Sequence, residues 1–304
     1  MVVLGPTARI SGNVGSGEKI NERTMRKTFI GLDIGGSKIE AIAWRSGRVL
    51  AVHKIKTPKN RKAFLAAVFK LIEKVSAREK IQGIGIACAG AIDYKRGAIT
   101  GSPNLKFLIG VKLAEFIRRQ YRVRVALEND ANCFLRGEHA FGVARGKKNV
   151  VAFTLGTGVG GAIMIENKLL HGTHVSAGEL GHMTIAYPAR AGAVEDLASS
   201  HFFGKFKMGG ALDIQHAAGA GHKKARAIYQ KMGRYLGVAM ANVVNIFDPE
   251  MIVLGGGISR GYKLFLSSAL AEMKTHTLSS LRFLPPVRVS KLNHANALGA
   301  ITLL

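Results

Sequence analysis

One short plan occurs twice in the chain, and it constrains the fold more than any other feature. Thr28–Ile34 is an apolar run, Gly35-Gly36-Ser37-Lys38 is a small polar turn, and residues 39–44 are apolar again. Val150–Leu155, then Gly156-Thr157-Gly158-Val159-Gly160-Gly161, then residues 162–165 repeat the pattern. Each copy reads as a β-hairpin whose tip is nearly bare of side chains, so backbone N–H groups there can approach a phosphate closely. Repetition of one such unit implies internal duplication and two related lobes. A length of 304 residues agrees, being long for a single core.

Polar residues gather around both tips. Asp33 directly precedes the first tip, where a carboxylate can hold hydrated Mg²⁺ beside phosphates, while Ser37 and Lys38 supply a hydroxyl and a positive charge. Taken alone, the same turn is also an ordinary tight hairpin with a capping Asp. Residues 81–87 read as a buried strand leading into a small-residue loop around Gly90, and Asn104 offers a free amide shortly after. Loops at strand carboxyl ends are where α/β sheets bind ligands. Asn129-Asp130 follows a strand at 122–127 and precedes a helix at 131–140. Asp130 is either that helix's N-cap or a carboxylate kept ionised by the helix dipole to accept a hydroxyl proton, and the two readings are compatible. Beyond the second tip lie Glu179 and His182, then Glu195, a helix-start acid or a pocket ligand. A strand at 251–254 ends in Gly255-Gly256-Gly257, a bare surface for a base or ribose. Helices are expected at 61–78, 111–120, 223–246 and 294–304 from their apolar period.

Several sharper motifs fail on inspection. Residues 156–161 satisfy G-x-G-x-x-G, but a dinucleotide site needs a helix after the glycines, and residues 162–165 read as strand. Gly12–Lys19 nearly spells a P-loop, but Glu18 stands where lysine is required and no strand precedes it. His171, His174 and His182 invite a zinc reading, yet the only cysteines are Cys88 and Cys133, so polar pocket residues are expected instead. Two cysteines also exclude a disulfide framework and suit a cytoplasmic location. Residues 1–26 are expected to be a flexible extension without a secretory h-region, and no apolar stretch approaches the ~20 residues that span a bilayer. The net charge of +25 is dispersed over 44–48, 54–62, 118–124, 145–148 and 222–234 rather than concentrated in one basic helix. A generally basic surface that attracts anionic nucleotides is the expectation, with a polyanion site as the alternative.

Together these residues resemble the ROK group of sugar kinases (repressors, open reading frames, kinases), over roughly residues 28–304. The resemblance rests on Asp33-Ile34-Gly35-Gly36-Ser37-Lys38, Glu128-Asn129-Asp130-Ala131-Asn132, residues 155–161, Ala177-Gly178-Glu179-Leu180-Gly181-His182 and Leu254-Gly255-Gly256-Gly257. It implies an α/β, two-lobed actin-like ATPase (ribonuclease H-like) fold, with mixed sheets flanked by helices and an active-site cleft between the lobes. The expected lobes are 27–127 with 291–304, and 128–290. The resemblance further implies ATP and Mg²⁺ as cofactors, Asp130 as the base, and a sugar held by Gly90, Asn104, Asn129, Asp130, Glu179, His182 and Glu195. Asp33, Gly35, Gly36, Ser37, Lys38, Gly156, Thr157 and Gly158 would face the phosphates, and Gly255, Gly256 and Gly257 the nucleoside. The implied reaction is phosphorylation of a hexose, foremost the 6-hydroxyl of glucose, with N-acetylmannosamine, N-acetylglucosamine or fructose as alternatives. A homodimer is expected, with no membrane partner. The family commonly carries a cysteine cluster that, with the histidine after Gly181, holds a structural zinc. Residues 187–195 have no cysteine, so no structural zinc is expected and the sugar preference does not carry over. The family's repressors place a helix-turn-helix ahead of this fold; residues 1–27 are too short and Gly-rich for one, so specific nucleic-acid binding is not expected, and a sugar-sensing or polyanion-binding regulator is the lesser reading.

Overall fold

The computed structural model describes residues 27–278 and 283–304 apart from Lys95, Pro103, Pro188 and Ala189. The extension expected at 1–26 lies outside the described residues. In chain order come β1 (Thr28–Ile34), β2 (Lys38–Arg45), β3 (Arg48–Lys56), α1 (Arg61–Ser76), β4 (Ile81–Cys88), the small hairpin β5 (Ala91–Asp93) and β6 (Ala98–Gly101), α2 (Leu113–Tyr121), β7 (Arg124–Asn129) and α3 (Asp130–Phe141). Next are β8 (Val150–Leu155), β9 (Val159–Ile165), β10 (Lys168–Leu169), the hairpin β11 (Thr184–Tyr187) and β12 (Arg190–Ala193), and helices α4 (Val194–Ala198), α5 (Ser200–Gly204), α6 (Ala211–Gly219) and α7 (Lys223–Phe247). The chain closes with β13 (Met251–Gly255), α8 (Leu266–His276), β14 (Val287–Val289) and α9 (Ala295–Ile301).

The chain forms two compact units, one running to Phe141 and regaining Leu292–Leu304, the other Gly142–Lys291. Each has its own five-stranded sheet, ordered β3-β2-β1-β4-β7 in the first and β10-β9-β8-β13-β14 in the second. In both, the first three strands are antiparallel and the last two run parallel to the central strand. The repeated hairpin is thus the visible part of a repeated sheet.

In the first unit, isoleucine and glycine alternate on the central strands. Ile30, Leu32, Ile34, Ile84 and Ile86 face one side and pack with Phe64, Val68, Leu71 and Ile72 of α1. On the other side, a Cβ at Gly31 or Gly85 would collide with the carbonyls of Ala297 or Ala300. Large side chains therefore make one face of the core, and their absence lets α9 lie directly on the other. α3 packs on α9 in the same way, with Gly137 against the Ala295 carbonyl and Gly299 against that of Cys133. This close packing draws Asp130 and the whole of α3 into the first unit, which runs to Phe141, whereas the expected lobe boundary is 127/128. In the second unit, Val151, Phe153 and Leu155 bury against Met232, Leu236 and Val243 of α7. Phe203 and Tyr229 add an aromatic contact beneath them, their ring centroids 4.6 Å apart.

Candidate active site

The site residues of the first unit collect where β1, β4 and β7 end. These three strands are parallel and in step: Asp33 pairs with Ala87 and Ala87 with Glu128, then Ile34 with Cys88 and Cys88 with Asn129. Asp33 accepts a hydrogen bond from Asn296 Nδ2 in α9 (3.2 Å). Burial, and next the carboxylate of Asp130, push its pKa up to about 7; Glu40 adds a smaller push, against the Asn296 bond and the charge of Lys38. A buried carboxylate whose ionisation a neighbouring carboxylate opposes makes a place where a divalent cation relieves the strain, so Asp33 beside Asp130 fits Mg²⁺.

The start of α3 corrects one expectation. Asn129 Oδ1 accepts from the backbone N–H groups of Ala131 (2.9 Å) and Asn132 (3.2 Å), so Asn129 is the cap and Asp130 is the first helical residue. The reason is that β7 runs through Asn129, two residues beyond the expected end at 127. Asp130 consequently stands in the positive first turn of the helix. Asn129 also donates through Nδ2 to the carbonyl of Gly90 (3.1 Å). Gly90 has φ +131°, and a Cβ there would strike the Gly101 carbonyl, so this loop position requires glycine.

The first glycine tip is braced from outside. Thr57 donates from Oγ1 to the Gly35 carbonyl (2.7 Å) and from its backbone to that of Ser37 (3.0 Å), and Lys59 Nζ donates to the Gly36 carbonyl (2.6 Å). Ser37 and Lys38 are exposed at the tip. A Cβ on Gly36 would overlap the Asn104 side chain, so the tip and the Asn104 amide are in contact.

In the second unit the tip closes with the Gly156 N–H donating to the Gly158 carbonyl (2.9 Å). Glu195 Oε2 accepts from the backbone N–H of Val159 (3.0 Å) and lies where a Cβ of Gly158 would be. Ser200 adds two bonds, from its backbone to the Gly156 carbonyl (2.9 Å) and from Oγ to that of Thr157 (3.1 Å). Gly181 lies against the Val159 carbonyl, seating the 3₁₀ turn Leu180–His182 beside the same strand. On that turn His182 Nδ1 is 3.4 Å from Glu179 Oε2, with both side chains exposed. Gly256, at φ +85°, presses on the backbone of Leu155, so Gly255–Gly257 adjoins the tip, and Ser259 Oγ holds the Gly256 carbonyl (2.8 Å). Thr157 is exposed at the tip, and a Cβ on Gly257 would meet nothing within 4 Å. Among the described residues, no three His, Cys, Asp or Glu side chains form a metal-binding group.

The structure thus groups Asp33, Gly35, Gly36, Ser37, Lys38, Gly90, Asn104, Asn129 and Asp130 within the first unit. Glu179, His182, Glu195, the 156–158 tip and the 255–257 glycines group within the second. Thr57, Lys59, Asn296 and Ser200 were missed. Thr57 and Lys59 follow β3, a strand that the sequence pattern alone does not identify, and Asn296 reaches Asp33 only through the return of α9.

A model of the family described as "ROK family" matches residues 29–304. The glucokinase of Streptomyces coelicolor is 30% identical over 260 residues, covering 76% of this chain and 82% of that protein. The N-acetyl-D-glucosamine kinase of Vibrio cholerae is 28% identical over 278 residues, 83% of this chain and 91% of its own. Among solved structures, a ROK family glucokinase from Streptomyces griseus in complex with glucose and AMPPNP superposes with a TM-score of 0.79 at 28% identity, covering 91% of this chain and 98% of that one. The fold is the mixed-sheet, helix-flanked actin-like ATPase fold of these neighbours, and the chain belongs to the ROK family.

Proposed function

We propose that the protein is an ATP-dependent sugar kinase that phosphorylates a hexose, foremost the 6-hydroxyl of glucose, with Asp130 as general base. The observation that carries this reading is the meeting of Asp33, Asp130 and the Gly35–Lys38 tip at the carboxyl ends of the parallel strands, with Asn296 fixing Asp33. A kinase needs a hydroxyl-directed base close to a cation-attracting carboxylate, and this corner supplies both. The glucokinase relatives favour the same activity.

Asn104, Asn129, Glu179, His182 and Glu195 hold the sugar by its hydroxyls, with Gly90 supplying a close backbone approach. Asp130 accepts the proton of the attacking hydroxyl; the sugar oxygen bonds to the γ-phosphorus as the bond to the β,γ-bridging oxygen breaks, and ADP leaves. Gly156, Thr157 and Gly158, with Gly35, Gly36, Ser37 and Lys38, present N–H groups and charge to the phosphates. Gly255, Gly256 and Gly257 receive the nucleoside. Asp33 would hold hydrated Mg²⁺, which would supply neutralisation of charge on the phosphates. Because the transition state is loose, most of the acceleration comes from placement and charge neutralisation rather than covalent chemistry. A cytoplasmic, homodimeric enzyme without specific nucleic-acid binding completes the reading.

The Vibrio cholerae relative favours N-acetylglucosamine as the second candidate. A coupled assay of ADP release with glucose, mannose, fructose, N-acetylglucosamine and N-acetylmannosamine separates them. The highest kcat/KM is expected with glucose; an N-acetylhexosamine ahead of it by tenfold or more overturns the glucose assignment, and release with none overturns the kinase.

A further inference from the structure

The small hairpin β5–β6 carries no residue of the reaction, yet it is fastened to the corner that does. Glu128 is buried at the end of β7, and a single oxygen, Oε1, accepts three hydrogen bonds. One comes from the backbone N–H of Asn129 (2.7 Å), one from Asn132 Nδ2 (3.0 Å), and one from the phenol of Tyr94. Tyr94 leaves β5 at the hairpin turn, so the third bond ties the far end of the hairpin to the start of α3. Two more ties hold its base: Asn129 Nδ2 to the Gly90 carbonyl, and Ser102 Oγ to the Ala89 carbonyl (2.8 Å). The outgoing strand leads within three residues to Asn104, which rests on Gly36.

The geometry assigns Tyr94 as a positioning residue: its bond to Glu128 locks the β5–β6 hairpin to the Asn129–Asp130 corner and so fixes where Asn104 meets the sugar. The assignment rests on the proposed kinase function, but the lock itself does not. A phenol donating to a buried carboxylate is a charge-assisted bond, and burial together with the negative charge of Glu128 pushes that phenol's pKa well up, so it stays a donor throughout the working range. Tyr94 acts on the sugar through the loop it holds. Loss of the bond loosens sugar placement while leaving the glycine tips intact.

Tyr94→Phe is the test, because it removes one hydroxyl and keeps the ring. Two readouts are taken on the full chain. Hydrogen exchange of backbone amides is expected to quicken across residues 91–104 and to stay unchanged in α7 and β13. The KM for the sugar is expected to rise about tenfold, the loss of one charge-assisted bond, with the KM for ATP unchanged. Glu128→Gln, which keeps an acceptor for the phenol, is expected to preserve slow exchange in 91–104 and most of the sugar affinity. Unchanged exchange in 91–104 of Tyr94→Phe overturns the lock, whatever the enzyme does. Quickened exchange with unchanged sugar KM overturns the positioning role. Quickened exchange in a protein whose wild type phosphorylates no sugar leaves the lock standing and removes the kinase reading beneath the positioning role.

Discussion

Asn296, in the first turn of the last helix, donates a hydrogen bond to Asp33, at the end of the first strand 263 positions earlier. The carboxylate proposed to stand beside the phosphates is therefore aimed by the other end of the chain. It is also held at a cost. Its folded pKa of about 7 lies above the ordinary 3.8, so the folded state binds its proton more tightly than the unfolded chain does. The stability this confers is present below about pH 4 and is lost as pH rises through 7.

Asp33→Asn removes that loss. The melting temperature of the variant, relative to wild type and without nucleotide or metal, is expected to gain a few degrees between pH 5 and pH 8. A difference that stays constant over this range would show that Asp33 is not held in a raised state. Asn296→Ala takes away the donor that favours the charged form, so the wild-type loss should extend to higher pH.

Glu40 works in the opposite sense. It is buried on β2, with His294 Nδ1 at 2.7 Å and Lys54 Nζ at 2.5 Å, and although burial raises its pKa, these partners together hold it below the ordinary 4.5. Its contribution is therefore present above pH 4.5 and lost as pH falls through the lower folded value. Glu40→Gln is expected to cost about 2 kcal/mol at pH 7, and the gap to wild type should narrow below pH 4. Urea midpoints at pH 7 and pH 3.5 read this directly, and a gap that widens in acid would refute it.

Gly256→Ala probes the proposed nucleoside surface. At φ +85° the added methyl is strained, and it would run into the backbone of Leu155. A loss of at least ~2 kcal/mol is expected, with the KM for ATP raised more than that for the sugar. Gly257→Ala, where a Cβ meets nothing within 4 Å, serves as the control and should keep wild-type stability.

The sequence was most readable where a local rule and a chemical need coincide. Gly35-Gly36 and Gly156–Gly158 sit between β-branched runs, so both hairpins and their duplication could be read without tertiary information. The strand nature of residues 162–165 likewise sufficed to reject a dinucleotide fold, and β9 covers them. The cap of α3 was read one residue late because Asn and Asp both serve as caps, and only the length of β7 decides between them. Asn296 and Lys59 could not be found at all: each acts across a distance set by packing, through α9 on glycine faces and through the turn after β3. Glu128 lies within the Glu128–Asn132 motif, but nothing local shows that Tyr94 and Asn132 converge on it.

Asp130 is proposed to take the proton of a sugar hydroxyl, foremost the 6-hydroxyl of glucose. The most direct measurement is ³¹P NMR of the product formed from glucose and MgATP by the wild-type protein and by Asp130→Asn, with glucose binding measured alongside. Wild type is expected to give glucose 6-phosphate, and the variant to bind glucose normally while its turnover falls by at least ~10². Near-normal turnover in Asp130→Asn would contradict the account, as would a wild type that forms no sugar phosphate but binds duplex DNA with sequence preference at ~0.3 M salt, beyond the range where counterion release alone sustains a complex.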